Sequence, residues 1–87
     1  MPRYLVERTF PGGLVAPAVP EVVERNADQG VTWIHSYVSA DGKKMFCVYD
    51  APTPEAIRKT AVGNGLPVDR ITHVLVLDPY FYPREQQ

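Results

Sequence analysis

Near the middle of the chain, two period-two runs flank a short glycine turn, and little but a β-hairpin can accommodate them. From Val31 to Val38 the side chains divide into Val31, Trp33, His35 and Tyr37 against Thr32, Ile34, Ser36 and Val38, dense in β-branched and aromatic residues. From Lys44 to Tyr49, Met45, Cys47 and Tyr49 alternate with Lys44, Phe46 and Val48. The residues between suit a three-residue loop, Ala40-Asp41-Gly42, closed by Ser39 and Lys43, with Gly42 left-handed. That register sets Trp33 opposite Tyr49, His35 opposite Cys47 and Tyr37 opposite Met45, with Cβ atoms roughly 4.5–5.5 Å apart. A slip by one residue would turn a whole set to the other face.

The hairpin is flanked by further elements. Tyr4 to Phe10 alternates as a first strand, ended by Pro11-Gly12-Gly13. Leu14 to Val19, with Pro17, reads as an irregular connection. A first helix is then predicted from Pro20 to about Gln29, with Val19, Val22, Val23, Asn26 and Ala27 on one face and Gly30 as its cap. Thr53-Pro54-Glu55 combines an N-cap hydroxyl, a proline at the first helical position and an acid near the positive dipole end. Ile57, Thr60, Ala61 and Asn64 lie on one side of this second helix, and Gly63-Asn64-Gly65 followed by Pro67 stops it. Ile71 to Leu77 alternates as a fourth strand before Asp78-Pro79, and the aromatic tail Tyr80-Phe81-Tyr82 suits a short fifth strand against the body or a partner subunit. The order βαββαβ predicts one α+β ferredoxin-like domain over 1–87: an antiparallel sheet in the order 4-1-3-2, with both helices on one face.

The more aliphatic face, with Val6, Ile34, Val38, Phe46, Val48, Val74 and Val76, is expected beneath the helices. The open face then carries Leu5, Glu7, Trp33, His35, Tyr37, Met45, Cys47, Tyr49, His73 and Leu75, a division that Tyr4 and Arg8 fit imperfectly. A chain of 87 residues is marginal as a monomer, so a homodimer covering that face is expected. Nine basic against ten acidic residues leave a net charge of -1 and no basic stripe, which argues against nucleic acid as a partner. Apolar runs are only strand-length and no hydrophobic signal region follows Arg3, so neither a membrane partner nor export is expected; the location expected is cytoplasmic. One cysteine permits no internal disulfide and leaves a thiol to account for.

Imidazole suits Ni2+, Cu2+ and Zn2+, thiolate is a soft ligand, and carboxylate or phenolate can complete a site. His35 and Cys47 are the first candidates, with Glu7, Tyr37 and His73 as further metal ligands and Tyr49 a weaker one. Each has a plainer reading: Cys47 as a small buried hydrophobe, His35 as a packed histidine, Glu7 as the partner of an arginine, Tyr37, Tyr49 and Trp33 as core or interface aromatics. His73 lies two strands from His35, so the two sharing one ion requires a dimer to bring them together. A Cys47 nucleophile with His35 as its base would make an enzyme, although no phosphate loop or nucleophile elbow accompanies it, and a structural dimerisation module is a third reading.

Four blocks, Tyr4-Leu5-Val6-Glu7-Arg8-Thr9-Phe10, Val31-Thr32-Trp33-Ile34-His35-Ser36-Tyr37-Val38, Phe46-Cys47-Val48-Tyr49-Asp50-Ala51-Pro52 and Gly65-Leu66-Pro67-Val68-Asp69-Arg70-Ile71, give the chain a resemblance to the small bacterial nickel-binding, nickel-responsive proteins. It spans nearly the whole chain. The resemblance implies a homodimeric ferredoxin-like protein that binds Ni2+ for sequestration or homeostasis rather than catalysis, with Zn2+, Co2+ and Cu2+ as possible substitutes in vitro. His35 and Cys47 match the family's pattern, while Pro17-Ala18-Val19-Pro20 and Gly63 depart from it.

Overall fold

A computed structural model describes residues 1–14 and 19–81. Its elements are β1 (Arg3–Thr9), α1 (Val19–Asp28), β2 (Thr32–Val38), β3 (Lys44–Asp50), α2 (Pro54–Asn64) and β4 (Arg70–Val74). The sheet runs β2-β3-β1-β4 and every pairing is antiparallel, the predicted ferredoxin-like order. Pro17, in the predicted irregular connection, lies outside the described residues.

Both helices begin and end where their chemistry directs. Thr53 Oγ1 accepts the Ala56 N–H at 3.2 Å and Pro54 opens α2, so the first turn's orphan donors are partly met. Gly65, at φ 67°, donates its N–H to the Val62 carbonyl, and the Leu66 N–H reaches the Ala61 carbonyl. Gly63 lies inside the helix, and the stop falls at Gly65. Thr53→Ala is expected to cost about 1 kcal/mol in urea unfolding, with the slope unchanged. On α1 only Val22 and Asn26 are buried; Val19 and Val23 stay about half exposed, so the predicted apolar face is narrower than its pattern. Asn64 Nδ2 donates to Asn26 Oδ1 at 3.1 Å, giving α1 and α2 a polar seam.

The hairpin departs from the predicted register by one residue. Ser39 N–H donates to the Lys44 carbonyl, so the loop holds four residues, Ala40 to Lys43, with Gly42 left-handed at φ 74°. Asp41 Oδ1 accepts from Ser39 Oγ and the Lys43 N–H, which braces the turn and holds the Asp41 carboxyl below its usual range. At the far end Trp33 faces Tyr49 as expected. Between the two, Ile34 is left unpaired in a β-bulge, after which His35 faces Val48, Ser36 faces Cys47 and Tyr37 faces Phe46. The expected pairs His35 with Cys47 and Tyr37 with Met45 do not form, because one extra residue turns the rest of β2 over.

The expected faces hold on β1, with Val6 covered and Leu5 and Glu7 open, but β3 is turned over, and Trp33 and His73 share the covered side. Val6 pairs with Cys47, which groups Tyr4, Val6 and Arg8 with Met45, Cys47 and Tyr49. These six side chains are buried. With Val31, Ala51 and Ile57 the apolar members form the core beneath the helices, and Trp33 and Ile71 pack at its margin. Phe46 and Val48 belong to the open face. β4 stops at Val74 because its partner β1 runs out at Arg3, so Leu75, Val76 and Leu77 extend beyond the sheet and are exposed. Of the predicted fifth strand, Tyr80 sits with Pro79 in a turn closed by one bridge between Asp78 and Phe81, and Tyr82 lies outside the described residues.

Candidate metal centre

Strand parity distributes the five predicted ligands over both sides of the sheet. Glu7 on β1, with His35 and Tyr37 on β2, faces the open side, whereas Cys47 and His73 have the parity of the helix-covered side. Cys47 is 1% exposed in the core cluster. His73 lies opposite Tyr4, the two rings 5.3 Å apart, and stays exposed because β4 is an edge strand. The sheet thus separates Cys47 from His35. A nucleophilic Cys47 with His35 as its base is therefore not assembled.

The helix-covered side holds its own polar cluster, and its chemistry disfavours a cation. Arg8 is 2% exposed; its Nη1 donates to the Pro67 carbonyl at 2.6 Å and its Nη2 to the Tyr49 hydroxyl at 3.1 Å. Arg8 Nε has no hydrogen-bond partner among the described residues. Burial pushes the Tyr49 phenol up to about 12; the Arg8 cation opposes that rise and Cys47 adds to it. A permanent positive charge beside a neutral phenol repels a second cation. Arginine on a strand normally reaches solvent, so the pairing of a buried Arg8 with Tyr49 is not among the sequence-based expectations.

On the open side, residues that face one another fall into two transverse rows. One reads Tyr37, Phe46, Glu7, Arg70; the next reads His35, Val48, Leu5, Thr72. His35 and Tyr37, two residues apart on β2, stand edge to face with centroids 5.0 Å apart. Tyr37 is 62% exposed. Glu7 is half-buried, and its carboxylate has neither a hydrogen bond nor an ion pair among the described residues. Asp50 is on this side too, but Arg3 binds it with two bonds of 2.8 and 3.0 Å, which hold its carboxyl below the usual range and occupy both oxygens. Among the described residues no three His, Cys, Asp or Glu side chains converge within one chain.

The model of the nickel responsive protein SCO4226-like family matches residues 4–74, most of the chain. The chain belongs to this family. The assignment agrees with the resemblance carried by the four sequence blocks. The SCO4226-like chain also superposes on the crystal structure of SCO4226 from Streptomyces coelicolor A3(2) with a TM-score of 0.69, covering 87% of this chain and 99% of that one at 14% identity. That likeness establishes the shared fold. No curated protein matches the chain. Among its described residues, the SCO4226-like domain has no helix long and apolar enough to cross a membrane.

Proposed function

We propose that the protein binds Ni2+ as cargo, acting as a homodimer in metal sequestration or homeostasis, through His35, Tyr37 and Glu7 on the open sheet face. The observation that carries this reading is an exposed imidazole beside a phenol, on the same face as a carboxylate that has no partner among the described residues. Imidazole with oxygen donors suits Ni2+, and a family described as nickel responsive makes that ion the first to test. Leu5, Phe46 and Val48 add half-buried apolar surface between the donors, the kind of surface a second subunit covers.

Calorimetry and native mass spectrometry with Ni2+, Zn2+, Co2+ and Cu2+ test it. Ni2+ uptake is expected to weaken by roughly 10–100-fold or more in His35→Ala, judged against the cost of losing even outer-sphere support. Cys47→Ala is expected to leave the Ni2+ stoichiometry unchanged. The reading fails if the protein takes up no Ni2+, or if uptake survives His35→Ala and vanishes with Cys47→Ala.

A further inference from the structure

Gly63 lies inside α2, where glycine is the poorest helix former after proline, yet nothing in the fold asks for it. Its backbone is helical, unlike that of Gly65 at φ 67°. A Cβ added at Gly63 would meet no atom of another element within 4 Å, so no close approach excludes a side chain either. What the missing side chain leaves is space. Gly63, Lys59 and Thr60 from α2 line a cavity of about 260 Å³ that faces Arg25, Asp28 and Gln29 at the end of α1. Asn64, the next residue, bonds Asn26 at 3.1 Å and Arg25 at 3.3 Å, so the two helices are tied together beside the cavity. Its volume falls just below the range of about 300–1,000 Å³ that holds drug-sized ligands, and it suits a smaller metabolite.

The charges around this groove are not matched to one another. Arg25 commits one of its five guanidinium donors to Asn64 Oδ1, and neither Lys59 nor Asp28 has a hydrogen bond or ion pair among the described residues. Two cations and one carboxylate complement a molecule with two carboxylates and one ammonium. We propose that the groove binds an acidic amino acid, its carboxylates on Arg25 and Lys59 and its ammonium on Asp28. Glycine at 63 then keeps the floor of the groove clear at the expense of helix propensity. The helices cover the sheet face away from His35, Tyr37 and Glu7, so this site is separate from the nickel reading and does not rest on it.

An amide NMR titration with L-glutamate at low ionic strength tests the proposal. Saturable shifts are expected at Arg25, Gln29, Thr60 and Gly63, with a Kd on the order of 1–10 mM because exposed ion contacts are individually weak. Lys59→Gln is expected to weaken L-glutamate and succinate alike, by roughly 2–5-fold. Asp28→Asn should weaken L-glutamate by a similar factor and leave succinate bound at least as well, since succinate has no ammonium. Gly63→Gln, which fills the groove, is expected to abolish the shifts. Gly63→Ala is expected to raise the melting midpoint by about 4–8 °C, as ordinary helix propensity returns, while weakening L-glutamate. His35→Ala should bind L-glutamate as wild type does. The inference is overturned if no saturable shift develops by about tenfold above that Kd range. It is equally overturned if inorganic phosphate binds as tightly as L-glutamate and Asp28→Asn strengthens both, which would reduce the groove to a patch of positive charge. A Gly63→Ala protein that melts no higher than wild type would also overturn it, because the fold itself would then require the glycine.

Discussion

Ile57→Ala is expected to remove about 2–5 kcal/mol of stability, the range for shortening a fully buried Ile. Ile57 is 0% exposed and projects from α2 into the core that holds Tyr4, Val6, Val31, Met45, Cys47 and Tyr49. α1 contributes little there, with Val22 its one buried apolar residue, so Ile57 is a principal tie between the helical layer and the sheet. Small domains sit low in the usual range of about 5–15 kcal/mol, which makes the loss a large share of the total. Urea unfolding should show a much lower midpoint with a similar slope. Val62→Ala, on the same helix at 82% exposure, should stay within about 0.5 kcal/mol of wild type. A loss below 1 kcal/mol at Ile57 would mean that α2 is not seated on this face.

Local signals in the sequence located the elements, and the pairing between strands decided what the sequence could not. Thr53-Pro54-Glu55 marked the start of α2, and Gly42 took the left-handed conformation that its turn needs. The βαββαβ order then led to the correct sheet. Alternation within one strand tells which side chains share a face, yet not which set of the next strand joins them. Val6 could lie with Phe46 or with Cys47, and the register chose Cys47. Tyr4 and Arg8 are the warning, since they share Val6's parity and fit a purely aliphatic covered face poorly. The bulge at Ile34 left no mark in the alternation, and by turning His35 over it separated the imidazole from the thiol. Glu7, His35 and Tyr37 remain together on one face because the bulge and the reversed parity of β3 act on different members of the predicted set. The observed β4 is shorter than its alternation for a related reason: Leu75 to Leu77 have strand composition, but β1 offers them no neighbour.

The buried Arg8 and Tyr49 pair gives the second large effect, at alkaline pH. Tyr49 titrates near 10 in an unfolded chain and near 12 in the folded protein, chiefly because burial penalises the phenolate. A raised folded value means that the folded state holds its proton more tightly, so the contribution is complete below pH 10 and disappears as pH climbs through 12. The difference corresponds to roughly 2–3 kcal/mol. Tyr49→Phe cannot lose this component, since it has no proton to give up. It starts from a lower level at neutral pH, because Arg8 Nη2 is left without its 3.1 Å acceptor in a buried setting, at a cost of about 1–3 kcal/mol. Urea unfolding of both proteins from pH 9 to pH 12 should therefore show the wild-type advantage shrinking across that window. Two parallel curves would mean that Tyr49 ionises as freely in the fold as in water, and that the Arg8 charge rests on something other than a neutral phenol. Convergence would instead support a cationic, sealed helix side, leaving the open face as the side of the sheet suited to a metal ion.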